Sequence, residues 1–237
     1  MSGRVLVLKI EQAQVGGALS AMRASGASLH LAQGDFALIE ARESAWAAAF
    51  TDLSCGILAP QAGKVRFLGH DWATLPHDKA TALRGRIGLL LERGAWLDML
   101  DVAGNIVLPH LHHTRLDEAA LRLQAASLAV MFGLPGLPTV RPRDLTPTDL
   151  VRAACVRAFL GRPALLILER PLQGHPELLA PLLGALMTAR NRGAGVIWLT
   201  GSDLVWRDRS LPATQRLQLG EGGLKPVQRM APPQTAG

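Results

Sequence analysis

The stretch from Gly34 to Gly69 most constrains what this chain can fold into, because it places a helix between two short apolar strands. Phe36 to Ile39 predicts a buried strand, and Ser44 to about Gly56 predicts a helix. A Pro/Gly turn then leads into a second predicted strand, Lys64 to Leu68. A strand that enters a helix through a short turn is the arrangement of a phosphate-binding loop, where backbone N–H groups and the positive helix end hold phosphates.

The residues of this turn do not carry the chemistry of such a loop. The pattern G-x-x-x-x-G-K-[ST] uses glycines for close backbone approach, lysine for the phosphates and a hydroxyl for Mg²⁺. The second glycine position holds Trp46, whose indole would occupy space that the phosphates need, and Glu43 adds negative charge. Taken alone, the stretch is an ordinary strand–turn–helix unit. The positions that a nucleotide would contact are Ala41, Arg42, Glu43, Ser44, Ala45, Trp46, Ala47, Ala48 and Ala49, with alanine at the lysine and hydroxyl positions.

Length and composition predict a folded, soluble protein that is large enough to bury a core. The chain has 237 residues, 49% hydrophobic and 19% charged, and no apolar run approaches the ~20 residues of a membrane span. The opening MSGRVLVLKI has too short an apolar core for a signal peptide. The net charge of +6 is scattered and aromatic residues make up 4%, so a nucleic-acid partner is not expected.

The cysteines and a histidine cluster have simple explanations. Cys55 and Cys155 fall on apolar stretches of predicted helices without metal spacing, which favours buried, reduced thiols. His110, His112 and His113 raise the alternative of a metal site, but no fixed spacing supplies the remaining ligands, and exposed loop histidines are favoured. No metal is expected.

Ordered segments of the chain resemble the ATP-binding subunits of ABC transporters, in particular their Mla-like lipid-transport branch. GDFALI with LSCGILAPQAGKVRFLGHDW is similar to the opening of that family, and LRGRIGLLLERGAWLDMLDVAGNIVLPHLHHT is similar to its Q-loop segment. RPRDLTPTDLVRAACVRAFLGRPALLILERPLQGHP resembles the signature helix and Walker B strand, and AGVIWLTGSD resembles the last core strand with its switch loop. The likeness covers roughly Arg4 to Val227 in the family order, a series that is specific for the fold.

The resemblance implies an α/β fold of the P-loop NTPase-like ABC ATPase type, with a mostly parallel core sheet, an N-terminal antiparallel β part and a helical subdomain. One domain is expected over residues 1–228, with the RecA-like core and β subdomain at 1–92 and 160–228 and the helical subdomain at 93–159. Residues 229–237 are expected to be a disordered tail. The implied partner is an integral-membrane ABC permease, beside an intact ATPase subunit or a second copy of the chain, on the cytoplasmic face of the membrane.

The resemblance also shows where this chain departs from the family at the nucleotide. The adenine-stacking aromatic aligns with Gly16, and the Q-loop glutamine with Glu92, for which a surface or capping carboxylate is favoured. The Walker B aspartate and the catalytic glutamate align with Glu169 and Arg170, and a guanidinium cannot accept a proton as a general base. An ion pair at the strand end is the alternative role for this pair. The switch histidine aligns with Gly201, or with the next residue if the loop shifts by one, and Gly174-His175-Pro176 replaces the D-loop aspartate.

The signature segment keeps a helix start and loses its ligand chemistry. Thr146 as N-cap followed by Pro147 predicts that a helix begins here. Pro147 removes an N–H donor, and Asp149 sets a carboxylate against the helix end that should meet phosphate. The positions that align with the family signature are Leu145, Thr146, Pro147, Thr148 and Asp149.

Three functions follow from these departures, and plain loss of function is a fourth outcome. The leading hypothesis is a non-hydrolytic pseudo-ATPase that supports a transporter, with lipid as the candidate substrate, for which no catalytic residue and no cofactor are expected. The second is a working ATPase with substitute residues, in which ATP and Mg²⁺ would bind. The third is a soluble regulatory or scaffold module.

Overall fold

The fold is given by a computed structural model that describes residues 4–15, 26–113 and 117–226. Ten strands and seven α-helices alternate along these residues. The strands are β1 Leu6–Gln14, β2 Ala27–Ala32, β3 Phe36–Ala41, β4 Ala62–Phe67, β5 His70–Asp71, β6 Ile87–Leu90, β7 Leu165–Glu169, β8 Gly195–Thr200, β9 Gln215–Gly220 and β10 Gly223–Pro226. The helices are α1 Ser44–Ser54, α2 His77–Arg84, α3 Val102–His113, α4 Glu118–Met131, α5 Pro147–Phe159, α6 Leu179–Asn191 and α7 Asp203–Arg207.

A six-stranded sheet in the order β10-β9-β3-β8-β7-β6 forms the centre of the molecule. β3 pairs in parallel with both β8 and β9, and β7 pairs in parallel with both β6 and β8; only the β9–β10 hairpin is antiparallel. Because the carboxyl ends of parallel strands meet at one edge, the residues that follow β3, β6, β7 and β8 lie together there. That edge carries the candidate site.

A second sheet, in the order β2-β1-β4-β5, is antiparallel throughout. The expected combination of a mostly parallel core sheet, an antiparallel β part near the N-terminus and a group of helices is therefore confirmed. The division into subdomains at the stated boundaries stays a prediction.

The central strands bury both faces, which explains their continuous apolar sequences. In β8, Val196 and Trp198 pack into a core with the helices α3, α4, α5 and α6, whereas Ile197 and Leu199 pack into a second core. The second core is completed by α1 and the antiparallel sheet. The six-stranded sheet is thus covered on both sides, and its carboxyl edge remains accessible.

The helix starts follow the local sequence signals. Thr146 caps α5, since its hydroxyl accepts a hydrogen bond from the N–H of Asp149 at 3.1 Å, and Pro147 is the first helical residue, as predicted. A 3₁₀ turn, Pro176–Leu178, with proline as its first residue, leads directly into α6. α4 begins at Glu118, where the Asp117 side chain caps the helix by accepting a hydrogen bond from the N–H of Ala120.

The expectation that the histidine cluster lies in an exposed loop is wrong. α3 continues through Pro109, so His110 and His112 are helical, and His110 is 8% exposed. A Cβ on Gly161 would lie 2.3 Å from the His110 ring, so this glycine provides room for the imidazole. Within the described ranges, no group of three or more His, Cys, Asp or Glu residues could hold a metal ion.

Both cysteines are buried and neither forms a disulfide, as expected for reduced thiols. Cys55 directly follows α1 as its C-cap, whereas Cys155 lies inside α5. Burial raises the pKa of each thiol to about 12, so both stay protonated at neutral pH. In the part of the chain that the structure describes, no helix combines the length and the apolar character that crossing a bilayer would require.

Candidate functional site

Helix α1 begins within the segment that would form the phosphate-binding loop. In the pattern G-x-x-x-x-G-K-[ST] six residues precede the lysine, but here α1 already begins at Ser44, three residues before Ala47 at the aligned lysine position, so only Arg42 and Glu43 lie between β3 and α1. The N–H groups of Trp46 and Ala47 donate to the carbonyl oxygen of Glu43 at 3.1 and 3.3 Å. These donors belong to the first helical turn and are not directed at a ligand.

Some side chains at the aligned loop positions are buried in the core, and others are exposed. Ala41 and Ala47 are buried, at 0% and 1% exposed, and Ala47 packs in the core at the position of the family lysine. Glu43 is the N-cap of α1 but makes no capping hydrogen bond through its side chain. The indole of Trp46 lies beside Gly220 of β9, where a Cβ would be 3.6 Å from the ring. Arg42, Ser44, Ala45 and Ala48 are exposed, and Ala49 is buried.

Arg170 occupies the centre of the carboxyl edge. Its backbone lies in the left-handed region at φ 45°, and its N–H donates to the carbonyl oxygen of Leu199 at 2.8 Å. Its Nη2 donates to the carbonyl oxygens of Ala41 and Arg42 at 3.1 and 2.6 Å. The guanidinium therefore lies against the turn that would hold the phosphates in the resembled family.

Two carboxylates lie beside this guanidinium. Glu92 Oε2 is 3.6 Å from Arg170 Nε, so the strand-end ion pair expected for Arg170 is present with Glu92 as its partner. Glu169 is 6% exposed, and its Oε2 accepts a hydrogen bond from the backbone N–H of Glu92 at 3.2 Å. Glu169 Oε1 is buried without a hydrogen-bond partner among the described residues.

The switch position accommodates Arg170 because it has no side chain. A Cβ on Gly201 would lie 2.9 Å from Arg170 Cζ, closer than such contacts normally come. The Ser202 hydroxyl already has a partner within the protein, since it caps α7 by accepting a hydrogen bond from the N–H of Val205 at 3.4 Å. The hydroxyl of Thr200 accepts a hydrogen bond from the N–H of Ser202 at 3.1 Å. A larger residue than glycine at 201 is incompatible with this position of the guanidinium.

The polar side chains of the signature segment and of Arg152 bond to one another. The Thr146 hydroxyl donates to Asp149 Oδ2 at 2.9 Å, and Arg152 Nη1 lies 3.0 Å from Asp149 Oδ1. Thr146, Asp149 and Nη1 of Arg152 bond to one another, so the helix start is stabilised without an external anion, while Arg152 Nε is buried without a hydrogen-bond partner among the described residues. Leu145 is half-buried against the helical core, and Pro147 borders the cleft described next.

The cleft at the carboxyl edge has two parts that share Arg170 and Gln173. One part has a volume of about 420 Å³ and lies between β6, β7 and the start of α5; it is bordered by Glu92, Glu169, Trp96 and Pro147. The other has a volume of about 370 Å³ and is bordered by Gly174, Trp198, Thr200 and Ser202. The structure thus brings together the predicted positions Glu92, Glu169, Arg170 and Gly201. The adenine-stacking position, Gly16, lies outside the described residues.

Two residues that position the segment after β6 were not predicted. Arg157 of α5 donates to the carbonyl oxygens of Gly94 and Ala95, and its Cζ lies 4.5 Å from the Trp96 ring centroid. The Asn105 side chain accepts from the N–H of Leu97 at 2.8 Å and donates to its carbonyl at 3.0 Å. Burial lowers the pKa of Arg157. The only sequence signal was a charged residue within the apolar run of α5.

Known proteins resemble this chain in sequence and in fold. No family model matches the chain. MlaF of Escherichia coli K12, an intermembrane phospholipid transport system ATP-binding protein, is 26% identical over 141 residues, which are 60% of this chain and 52% of MlaF. The chain thus spans about half the length of this relative. FtsE of Escherichia coli K12, a cell division ATP-binding protein, is 25% identical over 179 residues, or 76% of this chain and 80% of FtsE.

Solved structures share the fold across nearly the whole chain. An ATP-binding subunit of an ABC transporter superposes with a TM-score of 0.77 at 18% identity, covering 93% of this chain and 90% of that one. The dimeric bacterial ABC transporter cassette MJ0796 superposes with a TM-score of 0.78 at 16% identity, covering 94% and 100%. The resemblance seen in the sequence is confirmed: this chain is similar to the ATP-binding subunits of ABC transporters and has the fold of their nucleotide-binding domain.

Proposed function

We propose that the chain is a non-hydrolytic pseudo-ATPase subunit of an ABC-type transport system. It supports the transporter by docking on an integral-membrane permease, or by pairing with an intact ATPase subunit or a second copy of itself. It acts at the cytoplasmic face of the membrane without nucleotide turnover of its own. The similarity to MlaF, which is named for phospholipid transport, favours lipid as the substrate of that system.

One observation carries this proposal: the Arg170 guanidinium donates to the carbonyl oxygens of Ala41 and Arg42. A nucleotide seated on this turn would have to displace the guanidinium, and the N–H groups of Trp46 and Ala47 in the first turn of α1 are already bonded to the Glu43 carbonyl oxygen. Hydrolysis also needs a general base, and loss of that group alone costs ~10²–10⁴-fold in rate. Arginine stays protonated at any physiological pH and cannot supply the base.

A cavity of about 290 Å³ supports the docking of a partner. It lies between the end of α1, β6 and α3, and its apolar lining includes Ile57, Ile87, Leu89 and Pro109. Ile57 is 62% exposed, and Met99 in the segment after β6 is 81% exposed. An exposed apolar side chain at the rim of a cavity, as Ile57 is here, is typical of a protein-binding surface. The proposed occupant is a cytoplasmic segment of the permease.

Thermal unfolding with and without Mg·ATP tests the nucleotide part of the proposal. A ligand that binds the folded state raises the melting temperature in proportion to ln(1 + [L]/Kd), so millimolar ATP should leave this chain unshifted while it stabilises an intact ABC ATPase run in parallel. A clear shift that EDTA reverses would contradict the proposal. Hydrolysis above background that Glu169→Gln abolishes would favour the working-ATPase hypothesis instead.

A pull-down from detergent-solubilised membranes tests the partner. The expected result is co-purification with a membrane protein of several spans, with or without an intact ATPase. An Ile57→Asp variant should weaken this capture because it places a charge at the mouth of the apolar cavity, whereas Leu204→Asp, on the exposed α7, serves as the matched control. Recovery of only non-membrane partners would favour the regulatory-module hypothesis.

A further inference from the structure

We propose that the cleft at the carboxyl edge of the six-stranded sheet is a cation site that accepts a guanidinium group, and that Arg170 of the chain itself fills it. This inference deepens the proposed function, on which it rests, by naming what occupies the position of a nucleotide. A guanidinium is a cation, whereas the ligand expected at a phosphate-binding loop is an anion.

The groups that surround Arg170 are oxygen acceptors. The carbonyl oxygens of Ala41 and Arg42 accept hydrogen bonds from Nη2, and Glu92 Oε2 lies 3.6 Å from Nε. A guanidinium is a planar fork of N–H donors with no acceptor, so carbonyl and carboxylate oxygens are the partners it requires. These three oxygens come from the ends of two different strands, β3 and β6, which the fold brings to one edge.

The charge at this edge favours a cation. Glu92 and Glu169 both border the cleft, and Glu169 is buried with Oε1 unpartnered among the described residues. A phosphate-binding loop would present N–H donors, but the N–H groups of Trp46 and Ala47 are bonded to the Glu43 carbonyl. A phosphate placed here would therefore meet carboxylates and carbonyl oxygens, whereas a guanidinium finds two acceptors for Nη2 and an ion-pair partner in Glu92; its Nε is buried without a hydrogen-bond partner among the described residues.

The backbone around Arg170 is arranged for this contact. A non-glycine residue at φ 45° is uncommon and costs free energy unless surrounding contacts compensate. Here the Arg170 N–H is bonded to Leu199, and Gly201 leaves open the volume next to Cζ. The left-handed residue, the missing side chain at 201 and the three oxygens together form a site shaped around one guanidinium.

The contacts of Arg170 link three parts of the fold at this edge, a role that a bound nucleotide would otherwise have. Arg170 connects the end of β7 with the turn after β3 and with Glu92, which begins the segment leading into α3. The position of that segment relative to the sheet is thus set by a side chain of the protein. We expect the arrangement to be constant, independent of nucleotide concentration.

Chemical rescue, in which a small guanidinium compound replaces a deleted arginine side chain, tests the site in the 237-residue chain. Arg170→Ala should lower the melting temperature by about 4–8 °C, because two charge-assisted hydrogen bonds are lost and their acceptors stay at the cleft. Low-millimolar guanidinium or methylguanidinium chloride should then restore at least half of that loss in Arg170→Ala. The same salts should leave the wild type and the Arg93→Ala control unshifted; Arg93 is an exposed arginine bordering the same cleft. Sodium chloride at equal concentration controls for ionic strength.

Arg170→Lys keeps the positive charge and provides a variant expected to fold if Arg170→Ala does not. Lysine lacks the planar fork, so Arg170→Lys should also lose stability and should gain nothing from sodium chloride. The proposal is wrong if Arg170→Ala is as stable as the wild type, or if guanidinium stabilises neither Arg170 variant more than it stabilises Arg93→Ala. If Mg·ATP raises the melting temperature of the wild type and guanidinium still rescues Arg170→Ala, the proposed function is overturned and this inference stands. Absent rescue without an ATP shift would overturn this inference alone.

Discussion

Arg170 and Gly201 depend on each other at the carboxyl edge of the sheet. The guanidinium follows β7 directly, and Gly201 follows β8, the neighbouring strand. The predicted Cβ distance of 2.9 Å at Gly201 means that any side chain there must move Arg170 or the backbone. Arg170 and Gly201 are therefore sterically complementary at this edge, since the volume that the guanidinium fills is the one that a side chain at 201 would need.

Gly201→Ala should destabilise the wild type by about 1–3 kcal/mol, the usual cost of forcing an extra carbon into an occupied space. In the Arg170→Ala background the same substitution should cost less than about 0.5 kcal/mol, because its clashing partner is gone. A double-mutant cycle measured by urea unfolding gives the coupling free energy directly.

Gly184→Ala is the matched control for this cycle. Gly184 lies in α6, and a Cβ there meets no atom within 4 Å, so alanine should be neutral or stabilise by up to about 1 kcal/mol in both backgrounds. Equal costs of Gly201→Ala in the presence and absence of Arg170 would show that the guanidinium does not occupy the space beside residue 201.

At the scale of elements, the segment between β6 and α3 is held by its neighbours. It contains no helix or strand from Leu91 to Asp101, yet Arg157 of α5 donates to two of its carbonyl oxygens and packs on Trp96. Asn105 of α3 bonds both backbone groups of Leu97. The segment bordering both the candidate docking cavity and the carboxyl-edge cleft is therefore fixed mainly by α5 and α3.

Arg157→Ala should release this segment. Loss of two hydrogen bonds and the cation–π contact should reduce its local stability by about 1–3 kcal/mol. Tryptic cleavage after the exposed Arg93, followed by mass spectrometry, should then be about tenfold faster, the factor that about 1.4 kcal/mol gives. Arg152→Ala, on the same helix but bonded to Asp149 and Gly133, should cleave at the wild-type rate. An unchanged rate in Arg157→Ala would contradict the proposed attachment.

The sequence predicted those elements whose signals are local. An apolar run predicted β3, the resemblance implied β7 and β8, and the Thr146–Pro147 pair predicted the start of α5. The partners of Arg170 could not be predicted, because Ala41 and Arg42 lie 129 and 128 residues away along the chain. The burial of His110 was missed for a similar reason, since Gly161, which makes room for the ring, belongs to a distant loop.

For the whole molecule, the sheet separates two hydrophobic cores that each contain one cysteine. Cys155 lies in the core with α3 to α6, and Cys55 lies in the core with α1 and the antiparallel sheet. The thiols therefore report on opposite sides of the sheet. If the domain unfolds in one cooperative step, both cysteines become exposed in the same transition.

Stability should fall above about pH 9 because of these two thiols. Their pKa in the folded chain is raised by burial to about 12, whereas the unfolded chain loses the thiol protons near the ordinary value of 9.0. Below pH 9 both states bind the protons and stability is unaffected. Between about pH 9 and pH 12 only the folded state keeps them, so the free energy of unfolding decreases by up to about 1.4 kcal/mol per pH unit for each thiol. The chain has no tyrosine, so its four lysines are the other side chains that ordinarily titrate in this window.

Urea unfolding from pH 7 to pH 11 measures this dependence, and two single variants divide it between the cores. Cys55→Ala and Cys155→Ala should each reduce the alkaline slope by about half, and the double variant should be nearly flat over the same range. If only one variant changes the slope, the other thiol reaches water in the native state, and the core around it opens without global unfolding. Slopes equal to that of the wild type in both variants would rule out the thiols as the titrating groups.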